Sequence, residues 1–257
     1  MTLIMENQTR LESWNNYCDD FVNHLRNSKA VLALLGAVPA YPHIKAVYEI
    51  SPRKVGSREI RCWFGNAIAI DKLRYYRRTF RSCRIGDDEA GFLTITQNVD
   101  DLSQRARHPP ELLVPIHGSL LDLHCTNTSC NYFHHHNSHD PHLHPQPSPP
   151  TPSCPLCTSL LRPSITRFGD PLPPSHLSTI ESWFFAHPTI DLMLVIGCAC
   201  TVSPAADYID KAKEKGARIA VFNVEFGRQA LCLGKEDWFF EGDAGVMVPL
   251  LLGKVVG

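Results

Sequence analysis

Four short runs, apolar on nearly every residue, constrain this chain more than any other feature: 31–36 (VLALLG), 92–96 (FLTIT), 192–197 (LMLVIG) and 218–224 (RIAVFNV). A strand open to water on one face alternates apolar and polar residues. A continuous apolar run belongs to a strand covered on both faces, the situation of a parallel sheet. Between the last two runs, residues 205–216 (AADYIDKAKEKG) predict a helix closed by a glycine cap. Strand, helix and strand at this spacing make a βαβ unit, and the set predicts an α/β fold with a Rossmann-like parallel sheet. Residues 12–28 predict an opening amphipathic helix, with Trp14, Tyr17, Cys18, Phe21, Val22 and Leu25 on its apolar face. In open parallel sheets ligands sit beyond the carboxyl ends of the strands, so the residues after each run are the ones to read for chemistry.

Those residues are polar or small. After the second run stand Thr96, Gln97, Asn98, Val99 and Asp100. Two amides and a carboxylate there offer hydrogen bonds to a sugar and a carboxamide, although polar turns after strands are common. His117 follows in the segment IHGSL, 116–120. Its near-neutral pKa suits a general base, and a satisfied structural histidine is the plain alternative. The third run leads into Gly197, Cys198, Ala199 and Cys200, where small residues let a cofactor approach the backbone or simply make a tight turn. The fourth ends in Asn223, Val224 and Glu225, and a carboxylate at that place can take ribose hydroxyls.

The cysteines add a metal site. Cys125-x4-Cys130 and Cys154-x2-Cys157 are two close pairs, as structural zinc requires for its four thiolate ligands. Residues 133–153 (FHHHNSHDPHLHPQPSPPTPS) separate the pairs as a low-complexity loop that builds no core. Its histidines at 134, 135, 136, 139, 142 and 144 read as solvated rather than as a second site. The first residues show no basic or apolar leader, and no apolar run approaches the roughly 20 residues a membrane span needs. The expectation is an intracellular chain, in cytosol, nucleus or mitochondrion, whose ten cysteines are thiols or metal ligands. A net charge of −1 excludes general binding to nucleic acid or anionic membrane, and so a zinc-ribbon nucleic-acid binder.

Taken in order, TQNVD at 96–100, IHGSL at 116–120, the two cysteine pairs, LLRPSITRFGD at 160–170, GCACTVSPAA at 197–206 and FNVE at 222–225 resemble the sirtuins, the NAD-dependent protein-lysine deacylases. The resemblance implies a Rossmann-like large domain, 1–116 and 166–257, with a small zinc-binding module inserted at 117–165. It implies that NAD and acyl-lysine meet between the two, and that one zinc ion is bound by Cys125, Cys130, Cys154 and Cys157. In the family's reaction the acyl oxygen attacks C1′ of the nicotinamide ribose and nicotinamide leaves. The histidine matching His117 then deprotonates a ribose hydroxyl, and the acyl group ends on ADP-ribose.

By the same resemblance Gly36 and Ala37 begin the loop over the NAD phosphates, and Gln97, Asn98 and Asp100 line the nicotinamide and ribose pocket. Gly197, Cys198 and Ala199 stand for the usual Gly-Thr-Ser, Asn223 and Glu225 face the adenosine ribose, and Ala244 falls near the adenine. Phe168 and Gly169, with Asp170, match the Phe-Gly-Glu along which substrate backbone pairs as a strand. Tyr75-Tyr76-Arg77-Arg78 resembles the Tyr-x-Tyr-Arg-Arg of the desuccinylase branch, where Arg77 would grip an acidic acyl group; a solvated helix face reads equally well, because the partner tyrosine falls on Arg74.

The pattern also breaks. After Gly36 and Ala37 the glycine-rich loop is replaced by Val38-Pro39-Ala40-Tyr41, and Pro39 lacks an amide to face phosphate. Residues 79–91 are too few for the helix usual there, and 38–91 carries no sustained periodicity. Cys198 and Ala199 cannot hydrogen-bond as Thr and Ser do. Three readings stay open: an active deacylase with a remodelled loop, a catalytically inactive sirtuin-like zinc-containing binding protein, or the product of a faulty gene model.

Overall fold

In a computed structural model, residues 2–36, 91–105, 108–134, 153–228 and 233–256 are described. The chain runs α1 (Thr2–Asn27), β1 (Val31–Leu35), β2 (Phe92–Thr96), the short α2 (Leu102–Arg105), β3 (Leu113–Pro115), β4 (Gly118–Cys125), β5 (Phe133–His134) and β6 (Leu161–Ile165). It continues through α3 (Pro174–Ala186), β7 (Leu192–Ile196), α4 (Asp207–Glu214), β8 (Arg218–Asn223), β9 (Trp238–Glu241) and α5 (Ala244–Val256). Six strands form a parallel sheet in the order β3-β2-β1-β7-β8-β9. The fold is the Rossmann-like α/β sheet that the apolar runs predict.

Alternation along each strand explains why the runs are apolar throughout. Val31, Ala33 and Leu35 of β1 face one side, with Leu192, Leu194 and Ile196 of β7 and Phe222 of β8. There they meet Phe21 and Leu25 of α1 and Val248, Leu251 and Leu252 of α5. Leu32, Leu34, Met193, Val195 and Val221 face the other side, against Ile180, Trp183 and Phe184 of α3 and Ile209 and Ala212 of α4. Every residue of β1 and β7 is therefore buried.

The helices differ from their expected limits. α1 begins at Thr2 instead of residue 12, and α4 occupies Asp207–Glu214 because 203–206 form turns. Gly216 is the expected cap: its φ is +91°, and its amide donates to the Lys213 carbonyl at 2.9 Å.

The pairing register sets the site. Leu35 lies level with Thr96 on one side and Ile196 on the other, and Ile196 lies level with Phe222. Four strands therefore end in one row, and the residues just beyond them become neighbours. A second, antiparallel sheet, β5-β4-β6, rises directly after β3.

Candidate active site

The hydrogen-bond ladder runs one residue past the strand ends. The Gly36 amide donates to Ile196 O at 3.0 Å, Gln97 to Leu35 O at 2.9 Å and Gly197 to Phe222 O at 2.9 Å. A Cβ on Gly36 would stand 2.2 Å from the Cys198 Cα, so only glycine permits this approach. Gly197 has a φ of +58°. The ends of β1 and β7 thus present backbone rather than side chains to whatever lies above them.

The polar turn after β2 is braced from within. The Thr96 hydroxyl oxygen accepts the Asn98 amide at 3.1 Å, and Val99 O accepts the Leu120 amide at 2.8 Å. Asp101, buried and at φ +56°, accepts the Ser119 hydroxyl at 2.8 Å and the Gln104 side-chain amide at 3.0 Å. Ser119 in turn accepts the Leu121 and Asp122 amides at 3.0 and 3.3 Å. This Asp101–Ser119 brace is absent from the sequence-derived site, because neither spacing nor composition distinguishes Asp101 from the solvated acids. It ties the turn carrying Gln97, Asn98 and Asp100 to the start of β4.

His117 lies between those two elements. The Ile116 amide donates to Thr96 O at 3.0 Å, and His117 O accepts the Thr166 amide at 2.9 Å. The imidazole is half-buried, and its Nδ1–H donates to the Gln97 carbonyl at 3.2 Å. With Nδ1 protonated, Nε2 holds the lone pair. Burial pushes the His117 pKa below the ordinary histidine value, and the Gln97 carbonyl offsets part of that. A neutral ring with a free Nε2 lone pair is the state a general base needs.

Cys198 is 2% exposed, and its sulfur faces inward. It accepts the Gln97 Nε2–H at 3.2 Å and the Cys200 amide at 3.3 Å. At the end of β8, Asn223 is buried and its Oδ1 accepts the Val224 amide at 3.0 Å, while Glu225 is exposed. Ala244 is buried at the start of α5, within the α1–α5 core.

The four module cysteines converge. Their Sγ atoms all lie within 4.8 Å of one another, with Cys125–Cys157 at 3.4 Å and Cys130–Cys154 at 3.7 Å. Tetrahedral zinc at about 2.3 Å from each sulfur places its ligands roughly 3.8 Å apart, so this donor set fits one ion. Hydrogen bonds from Ser159 pull the Cys157 thiol down to about 6, while burial pushes Cys125 up to about 12. Beyond β6, Phe168 is 84% exposed and Gly169 turns at φ +92°. The Asp170 carboxylate pairs with Arg167 at 3.3 Å and Arg162 at 3.6 Å, and hydrogen bonds from the Arg167 amide and guanidinium hold its pKa low.

Ala37, Arg77 with its tyrosine neighbours, and the histidines beyond His134 in the proline-rich loop lie outside the described residues. Among the described residues no helix is long and apolar enough to cross a membrane, and the seven cysteines form no disulfide.

A family model described as the Sir2 family matches residues 78–204. The chain is 35% identical to an NAD-dependent protein deacylase of Candida albicans, across 71% of this chain and 72% of that one. It is also 35% identical to an NAD-dependent protein deacylase of Thermococcus kodakarensis, across 63% of this chain and 59% of that protein's length. Among solved structures, a Sir2 homologue in complex with ADP-ribose superposes with a TM-score of 0.66 at 25% identity, covering 91% of this chain and 95% of that one. A Sir2 homologue–NAD complex shares the fold at a TM-score of 0.67 and 24% identity, covering 92% and 93% of the two chains. An α/β protein with a half-buried histidine at the level ends of a parallel sheet, beside a cluster of four cysteines, is the class that fold and site define. The chain belongs to the Sir2 family.

Proposed function

We propose that this chain is an NAD-dependent protein-lysine deacylase, passing the acyl group to ADP-ribose with release of nicotinamide. One observation carries the reading: His117 is held as a neutral base, Nδ1–H on the Gln97 carbonyl, at the row where the strands end. The curated relatives named as deacylases favour this over a non-enzymatic binding protein.

NAD supplies a C1′ carbon made electrophilic by the departing nicotinamide. His117 accepts a ribose hydroxyl proton on Nε2. Gln97, Asn98 and Asp100 hold the carboxamide and nicotinamide ribose. Gly36, Ala37, Gly197, Cys198 and Ala199 let the dinucleotide lie against bare backbone, a fit supported by the crowding that excludes a Cβ at Gly36. Asn223 and Glu225 take the adenosine ribose, and Ala244 borders the adenine. Phe168 and Gly169 line the strand-like path of an acyl-lysine segment, and Arg77 meets the acyl group. Cys125, Cys130, Cys154 and Cys157 hold one structural zinc. In this reading 1–116 and 166–257 form the NAD-binding domain and 117–165 the zinc module, in a protein that works inside the cell on acylated proteins.

The test is nicotinamide release from NAD with acetyl-lysine and succinyl-lysine peptides side by side. Peptide-dependent release is expected, and preference for succinyl-lysine assigns Arg77 its acid-gripping role. Folded, zinc-loaded protein that releases nothing with either peptide overturns the proposal.

A further inference from the structure

Cys198 has its sulfur buried beneath the row of strand ends. Its side chain is 2% exposed, packed among Ala205, Val195 and their neighbours in the α3–α4 core. Two N–H groups converge on it, Gln97 Nε2 at 3.2 Å and the Cys200 amide at 3.3 Å. The same Gln97 offers its backbone carbonyl to His117 Nδ1 at 3.2 Å. A continuous path therefore runs from the turn after β7, through one glutamine, to the imidazole. We infer that Cys198 is a positioning residue: its sulfur anchors the Gln97 side chain, and Gln97 thereby holds His117 in the tautomer that leaves Nε2 free.

The physics supports a sulfur in this place. A neutral thiol is a weak acceptor, but an ionised one accepts charge-assisted hydrogen bonds. The Cys200 thiol first, then its amide and the Gln97 amide, hold Cys198 down to about 7, against the opposing effect of burial. Gln97 without an anchor regains side-chain freedom; the ladder bond to Leu35 and the Thr96–Asn98 bond still hold the turn, but no side-chain contact then fixes the plane of the Gln97 carbonyl that faces His117. His117 owes its pKa to burial and to the Gln97 carbonyl, so loosening that carbonyl lowers the pKa further and releases the Nδ1 proton to exchange with Nε2.

The inference rests on the deacylase reading for what His117 does, but its test does not. Two-bond proton–nitrogen correlation spectra of the 15N-labelled, zinc-loaded full chain, without NAD or peptide, report each histidine's tautomer and pKa; His117→Ala identifies the signal. The wild type is expected to show the Nδ1–H tautomer. Cys198→Ser, which keeps an acceptor, is expected to match it. Cys198→Ala is expected to show mixed tautomers and a lower pKa, and to deacylate about 10-fold more slowly, part of the roughly 10²–10⁴-fold a general base supplies. Gln97→Met cuts the same N–H···S bond from its half-buried side and serves if Cys198→Ala does not fold. A His117 tautomer and pKa unchanged in both Cys198→Ala and Gln97→Met overturn the inference, whatever the activity. Absent nicotinamide release with a shifted tautomer instead overturns the deacylase reading and leaves the inference standing.

Discussion

At the scale of single residues, chemistry and backbone geometry are inseparable at His117. His117→Ala is expected to abolish acyl transfer while leaving thermal unfolding within a few degrees of wild type, since the ring is only half-buried; formation of O-acyl-ADP-ribose and calorimetry check the two halves. The pH dependence follows from the direction of its pKa. A histidine whose folded pKa lies below its unfolded value binds its proton less readily when folded. Its contribution to stability is complete above the ordinary histidine value near 6.5 and is lost as pH falls through the lower folded value. Deacylation is expected to stay flat above neutrality and to decline only well below it, and a rate profile from pH 5 to 8 tests this. The neighbouring Gly118 is equally constrained. Its φ is +80°, and a Cβ there would sit 2.0 Å from Ser164 O. Gly118→Ala is expected to cost about 2 kcal/mol or more, read by urea denaturation, because strain and overpacking act together.

At the scale of elements, the small antiparallel sheet that carries the four cysteines has little of its own to hold it. Among the described residues its buried apolar cluster is Cys125, Cys154 and Leu161, so two of the four clustered cysteines are most of that interior. Such units depend on metal for their folding. Stripping zinc with a chelator is expected to expose the β4–β6 hairpin to protease while the parallel sheet stays protected, and elemental analysis of untagged protein is expected to find one zinc. Elements also mark where sequence reading succeeds. β1, β2, β7 and β8 are legible because burial on both faces writes an unbroken apolar run. β3 is three residues long and β9 carries a charge at its end, so neither run stands out. α3 starts from Pro174 with no side-chain cap, and α5 contains Pro249, a residue that argues against a helix interior. In the site, His117 and the cysteines are legible from motif and spacing. The Asp101 brace and the inward turn of Cys198 depend on contacts between distant segments, which no local pattern records.

At the scale of the whole molecule, the chain's two ends share one face of the sheet. Phe21 of α1 packs edge-on against Phe222, Trp238 and Phe240 at centroid distances of 5.7, 5.4 and 5.1 Å. Arg218 lies 3.6 Å from the Trp238 ring centroid and bonds Asp20 of α1 at 3.0 Å. Phe21→Ala is expected to cost about 3–5 kcal/mol in urea denaturation, with zinc content unchanged, because it empties a site far from the module.

The pairing at the base of the module has a mechanical consequence. The chain leaves the large sheet through His117 and Gly118 and returns through Ile165 and Thr166. Gly118 pairs with Ile165, and Thr166 bonds back to His117. Outgoing and returning strands are thus pinned together at the base itself. A lever is fixed at its fulcrum, and here the fulcrum is the pair that carries the imidazole, while the four cysteines stand at the far end of the arm.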